Sequence, residues 1–254
     1  MIERSKAGPT HTLRVALVVA KKDALIYYFK APVVIFGILF PLFFFLAFAI
    51  GRPMSQSSIA PSMIAMAVFF TASAIGPLVT PWERSAKTYE RLLSCPLSVF
   101  SIVLGDVIAG FAFGLTLTAV PLIIVIFFTS ARVAHWNLLL PGLLLSSFCF
   151  AALGTLLSSP SARAPSKIMM LSSLVRIPLI FISGIFVPLS AMPSWSRLLS
   201  PLSPLSYCAD VVRFSFGEGP FFPIWLSYLM LAGFSGVFLA IARHFHRRAK
   251  ATGL

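Results

Sequence analysis

The sequence predicts an all-α integral membrane protein: six transmembrane helices, an N-terminal amphipathic interface helix and a re-entrant helical hairpin before the last span. Three observations carry that expectation. Of 254 residues, 58% are hydrophobic and 11% charged, with a mean hydropathy of +0.95, whereas a soluble domain carries roughly a quarter charged residues. Six continuous apolar runs approach or exceed the length of about 20 residues that a helix needs to cross a bilayer. Cations are also shared unevenly between the intervening loops. A β-barrel would show short alternating strands instead, and the same composition excludes disorder, a coiled coil and a disulfide scaffold.

Residues 1–31 form the first region. Arg4, Lys6, Arg14, Lys21, Lys22 and Lys30 lie here without a cleavable apolar core of signal-peptide type, so this end is expected in the cytoplasm. Within it, residues 13–29 are amphipathic. At about 100° per residue, Leu13, Ala16, Leu17, Ala20, Ala24, Tyr27 and Tyr28 share an arc of about 140°. Arg14, Lys21, Lys22, Asp23 and Lys30 fall outside it. Such a segment is either a helix lying along the inner leaflet, its cations near anionic headgroups, or an ordinary tether.

The transmembrane domain is expected over 32–242, with spans at 32–50, 59–79, 102–128, 138–157, 168–189 and 221–242, followed by a basic tail at 243–254. The third is long enough to tilt. Fifteen Lys and Arg fall on the side of the N-terminus, against four on the other side (Arg52, Arg132, Arg197, Arg213). The positive-inside rule then places both termini in the cytoplasm, as an even number of spans requires. Loop cations thus account for the net charge of +13, which on a soluble chain would point to nucleic acid; no nucleic-acid partner is expected. Pro41, Pro77, Pro121, Pro141, Pro178 and Pro188 punctuate the spans. Neighbouring helices and Ser/Thr hydroxyls can satisfy the carbonyls they free. Kinked helices suit a machine that opens, and occur in static bundles too. Gly110 and Gly114 form a GxxxG step suited to close helix packing.

Two segments that do not span are informative. Between the second and third spans, residues 82–94 sit between Pro81, suited to a first helical turn, and Pro96, suited to a stop. Glu83 and Lys87 are four apart in the favourable order, and Trp82, Tyr89, Leu92 and Leu93 are apolar anchors beside Arg84, Glu90 and Arg91. The segment is either a short helix docking in a groove on a soluble partner or a solvated loop. The outer segment 190–219, preceded by Pro188, holds Pro193, Trp195, Pro201, Pro204 and Tyr207 among leucines and serines. It is too apolar for a free loop and too broken to span, so a half-membrane or interfacial hairpin is expected. Asp210 and Arg213, three apart, are placed to pair, and Trp195 and Tyr207 to lie at headgroup level.

Catalytic chemistry is not apparent. The chain has no G-x-x-x-x-G-K-[ST] loop and no H-E-x-x-H motif. His11, His135, His244 and His246 lie in tails or an outer loop, and Cys95, Cys149 and Cys208 have no metal-ligand spacing. No catalytic, cofactor-binding or metal site is expected. Asp106 and Arg176 lie inside spans. An unpaired arginine at mid-bilayer costs ~2.5–3.5 kcal/mol or more, so Arg176 either pairs with Asp106 or lines a substrate pathway. Thr71, Ser73, Thr116, Thr118, Ser146, Ser147, Thr155, Ser172 and Ser173 add hydroxyls without a deep charged cavity, which suits an amphipathic or hydrophobic molecule slightly better than a highly charged one and leaves polysaccharides, lipid-linked precursors and ions open.

These features together resemble the type-2 ABC exporter permeases, especially the drug-resistance branch. Glu83-Arg84, Thr88-Tyr89-Glu90, Leu92-Leu93 and Pro96-Leu97-Ser98 resemble that family's coupling-helix pattern. Ser183-Gly184-Ile185-Phe186-Val187-Pro188, Met192-Pro193, Pro204-Leu205-Ser206-Tyr207 and Arg213 are similar to its signature after the fifth span. One departure stands out: Lys87 precedes Thr88 where a Gly-Thr pair is common, and lysine favours a continuous helix there. The resemblance implies a transport subunit of the cell membrane, not an enzyme. It would pair with a second permease, identical or homologous, and with two copies of a P-loop ATPase. ATP and Mg would be used by that partner, and Trp82, Glu83, Arg84, Lys87, Tyr89, Glu90 and Leu93 would receive its push. A gradient-driven carrier or channel is the rival expectation.

Overall fold

Every regular element among the described residues is helical. The computed structural model describes residues 9–27, 35, 39, 43, 56–88, 98–128, 131–159, 165–187 and 189–252. Eight α-helices follow in order: α1 Pro9–Tyr27, α2 Gln56–Ser85, α3 Val99–Phe128, α4 Trp136–Ser158, α5 Pro165–Ile182, α6 Ser194–Leu199, α7 Pro204–Ser215 and α8 Ile224–Thr252. Short 3-10 turns at Leu189–Ala191 and Ser200–Leu202 flank α6. Five helices (α2, α3, α4, α5 and α8) are long and apolar enough to cross a membrane. They match five of the six expected spans. Of the expected first span, 32–50, only residues 35, 39 and 43 are described, and Tyr89, Glu90, Leu93 and Pro188 lie outside the described residues.

The bundle is built around α2, whose most apolar stretch is 94% buried. It contains Pro61, Pro77 and Pro81 yet stays one helix. Pro77 has no N–H to offer the carbonyl of Ser73, and α4 crosses at that point: a Cβ on Gly154 would lie 2.6 Å from the Ser73 oxygen. The bare Cα of glycine lets the second helix press against the freed carbonyl. Thr71 and Ser73 hydroxyls donate to the carbonyls of Ala67 and Phe69 at 2.7 and 2.6 Å, so no hydroxyl proton is stranded there. Phe69 of α2 meets Phe150 of α4 edge to face, centroids 5.0 Å apart. The Gly110–Gly114 step does what its spacing predicts. A Cβ on Gly114 would come within 2.6 Å of both Ala72 Cβ and Ser147 Oγ, so α3 wedges against α2 and α4 together.

Three boundaries differ from expectation, each for a local reason. α2 continues through Pro81 to Ser85, so Pro81 does not begin a separate helix; the apolar packing of the α2 face carries the helix past it. α5 stops at Ile182 rather than 189, because Gly184 adopts φ +84° and turns the chain. α8 starts after Pro223 and remains helical through the basic stretch to Thr252.

Candidate functional site

Three polar centres interrupt the apolar bundle, and between them they take up most of the residues singled out by the sequence.

The first lies where α1 crosses α3. The buried stripe of α1 is Ala16, Val19, Ala20 and Asp23, while Leu13 and Leu17, expected on the apolar face, are half exposed. Small side chains set this choice, since they let α1 approach the bare backbone of Gly105. Asp23, expected on the polar face, is thereby carried inside. It meets Lys22 Nζ at 3.0 Å, and the same ammonium donates to Glu83 Oε1 in the last turn of α2. Asp106 of α3, also buried, adjoins Asp23 and Glu83. Two carboxylates therefore reach one ammonium in a desolvated site, and a third, that of Asp106, stands beside them. Burial works against the Lys22 charge, but Asp23 and Glu83 outweigh it and raise its pKa. Burial pushes the Asp23 carboxyl up to about 6, with the Glu83 charge adding to it and Lys22 opposing it.

Glu83 thus pairs with Lys22 and not with Lys87, four residues on. The reason is the backbone. Lys87 adopts φ +57°, so the helix ends and the Lys87 side chain leaves the face of Glu83. Lys87 N–H bonds the Arg84 carbonyl at 3.1 Å, and Thr88 Oγ1 donates to the Glu83 carbonyl at 3.1 Å. The continuous helix expected for a lysine here is not what forms; the chain takes the left-handed conformation at this position despite the Cβ. Trp82 packs beside Ala20, Ala74, Leu78 and Phe113, and Arg84 reaches the Ser159 carbonyl at 3.4 Å.

The second centre joins α7 to the turn after α5 and to the approach of α8. Asp210 and Arg213 do not form the expected ion pair. Asp210 Oδ2 accepts the Phe222 N–H at 2.8 Å, tying α7 to the approach of α8. Arg213 Nη2 donates to the Gly184 carbonyl and, at 3.4 Å each, to the Ile185 carbonyl and Ser62 Oγ. It therefore fastens the turn after α5 to the start of α2. Tyr207 is 2% exposed, its hydroxyl donating to the Pro201 carbonyl at 3.1 Å and its ring 5.0 Å from Phe222. Pro204 opens α7 at a position where no N–H is needed, and Pro193 precedes α6 in the same way.

The third centre is Arg176, 6% exposed in the middle of α5. Its partner is not Asp106. Nη1 and Nε make bonds of 3.4 Å to Ser73 Oγ and the Ser172 carbonyl, and the guanidinium stands 5.8 Å from the centre of the Phe70 ring. Asp106 is held instead in the cluster at Lys22. A cavity of about 230 Å³ opens beside Arg176, lined by Pro77, Leu78, Met169, Met170 and Ser173. Of the two readings the sequence allowed for Arg176, the pair with Asp106 does not form, and the arginine borders a recess that the hydroxyl pattern of the spans did not reveal.

Comparison with known proteins fits this geometry. A model of the ABC-2 type transporter family matches residues 16–217. That interval holds the α1–α2 junction, the Arg176 cavity and Arg213 with its partners Gly184, Ile185 and Ser62. The chain belongs to the ABC-2 type transporter family. Among relatives, the inner membrane transport permease YadH of Escherichia coli K12 is 28% identical over 158 residues, 62% of this chain and 61% of YadH. The chain thus spans less than two thirds of that relative's length. The daunorubicin resistance ABC transporter permease protein DrrB1 of Streptomyces coeruleorubidus is 31% identical over 106 residues, 41% of this chain and 36% of DrrB1. Nodulation protein J of Bradyrhizobium diazoefficiens is 28% identical over 191 residues, 69% and 68% of the two chains. Family membership agrees with a multi-pass membrane protein and a permease architecture.

Sequence reasoning missed Lys22 and Asp23 as partners of Glu83 and Asp106, since 61 residues separate Lys22 from Glu83. One signal was present: Asp23 is the single acidic residue among the cations of α1.

Proposed function

We propose that this chain is the membrane-spanning permease subunit of an ATP-driven exporter that moves amphipathic or hydrophobic molecules out of the cytoplasm or the inner leaflet. It works beside a second permease, identical or homologous, and two copies of a separate P-loop ATPase, which uses the ATP and Mg. Both termini face the cytoplasm, six spans cross the membrane, α1 lies along its inner surface and the α6–α7 hairpin re-enters from outside. Residues 82–94 receive the ATPase's push.

One observation supports this most directly. The end of α2 is bonded to α1 through Glu83 and Lys22, and the chain turns immediately afterwards at Lys87. A force applied at that turn reaches the interface helix and the central helix together. A helix end that carried no load would have no need of a desolvated ion cluster, which brings little net stability by itself. The relative DrrB1 is a daunorubicin resistance permease, which supports the choice of cargo class.

The test is copurification in mild detergent, with ATP hydrolysis assayed on the eluate. A stoichiometric P-loop partner with vanadate-sensitive activity is expected. A clean single chain, active in membranes under an ion gradient without ATP, would replace this reading with a secondary carrier or channel.

A further inference from the structure

Among the described residues, two arginines are buried within the bundle, and their surroundings differ. Arg213 is held by the Gly184 and Ile185 carbonyls and Ser62. Arg176 makes only the two long bonds of 3.4 Å, although a guanidinium carries five N–H donors. No described carboxylate lies within ion-pair distance of it. Five of the chain's seven acidic residues are described, and each stands elsewhere: Asp23, Glu83 and Asp106 in the cluster at Lys22, Asp210 on the Phe222 amide, and Glu218 in the field of Arg213. One turn before Arg176, the Ser172 hydroxyl is buried with no hydrogen-bond partner among the described residues.

The cavity sits against this underused cation. Its other walls are Pro77 and Leu78 of α2, and Met169, Met170 and Ser173 of α5. Methionine thioethers are flexible and polarisable and adapt to hydrocarbon of varied shape. A desolvated guanidinium with spare donors attracts an oxyanion through charge-assisted, often bidentate bonds and repels a cation. Apolar walls around one fixed charge are the usual make-up of a small-molecule site.

We propose that this cavity recognises anionic amphiphiles. A carboxylate, sulfonate or phosphate monoester sits on Arg176, and the apolar body lies along Met169, Met170 and Leu78. The proposal rests on the export reading for its place in a transport path and goes further by naming the charge of the cargo. The head can belong to a membrane lipid or to a water-borne amphiphile, since both present the same oxyanion.

The full chain is placed in nanodiscs of zwitterionic phosphatidylcholine, without nucleotide or ATPase, and binding of labelled decyl phosphate is measured against empty discs. Decanoate, decanol and decyltrimethylammonium compete in parallel. The expected result is a preference of about tenfold or more for the two anions. Arg176→Gln abolishes the preference and Arg176→Lys keeps part of it. Ser173→Trp, which fills the cavity and leaves the arginine in place, abolishes binding. Equal binding of anion, alcohol and cation by wild type overturns the proposal, as does an unchanged preference in Arg176→Gln. Intact binding in Ser173→Trp overturns the location, and this variant decides the matter if Arg176→Gln does not fold. Competition by added phosphatidic acid assigns the head to a lipid; binding unaffected by it assigns the head to a soluble amphiphile. Because no ATPase is present, a failure here leaves the export reading standing. Failure to copurify an ATPase leaves the binding result standing.

Discussion

Val19 of α1 occupies the space where a side chain on Gly105 would stand: a Cβ there would lie 2.6 Å from Val19 Cβ and 2.9 Å from the Ala16 carbonyl. Backbone cannot yield as a flexible side-chain end can. Gly105→Leu is therefore expected to push α1 off α3 and to separate Asp23 and Lys22 from Glu83 and Asp106. Overpacking of this kind costs about 1–3 kcal/mol. Protease sensitivity within α1, compared between wild type and variant in detergent, reads it out; an unchanged digestion pattern refutes the contact.

Removing the Lys22 ammonium leaves three buried carboxylates without their counter-charge. Lys22→Met is expected to destabilise the fold by about 3–5 kcal/mol, the range for breaking a buried pair by deleting one partner. Lys22→Met with Glu83→Leu should recover a measurable part of the loss. Thermal unfolding of the four proteins in a double-mutant cycle gives the coupling, and strict additivity would show that the pair is not formed.

The Asp23 carboxyl, pushed up to about 6 chiefly by burial, binds its proton more tightly in the folded protein than in the unfolded chain, where the value is 3.8. This contribution is complete below about pH 4 and is lost as the pH rises through about 6. The shift corresponds to at most about 3 kcal/mol. The melting temperature is expected to fall between about pH 4 and pH 7, while Asp23→Asn flattens that slope. An identical slope in the variant would place the titration elsewhere.

Arg176 and Asp106 belong to different polar centres, so their substitutions should not compensate. Arg176→Ala and Asp106→Asn are expected to lower the folded yield independently, adding within about 0.5 kcal/mol. Rescue of the first by the second, measured by size-exclusion yield, would restore the direct pair that the sequence alone allowed.

At the hairpin, Asp210→Ala strands the Phe222 N–H. A loss of about 1–3 kcal/mol is expected, together with faster amide exchange at residues 216–222. Asp210→Asn, which keeps an acceptor oxygen, should retain most of the protection.

The spans were legible because bilayer thickness and helix rise impose a length on the sequence directly. The Gly110–Gly114 contact was legible because three- and four-residue spacing fixes which residues share a helix face. What escaped depended on contacts far apart in the chain. Arg213 lies three residues from Asp210 but bonds to Gly184, 29 residues away, and no local rule reveals that. Lys87 escaped for another reason: propensity argues for helix at lysine, yet the turn made by Arg84 and Thr88 outweighs one residue's preference.

The near-complete enclosure of α2 has a mechanical consequence. Where Gly154 presses on the Ser73 carbonyl and Gly114 on Ala72, the helix backbones are nearly in contact, and interiors packed this closely do not slide by small amounts. Helices α2, α3 and α4 must then travel as one block in any rearrangement of the bundle. The opposite holds where α5 meets α2, because that boundary contains a void beside Arg176. That boundary is the seam along which the molecule can part, and Arg176 stands on it.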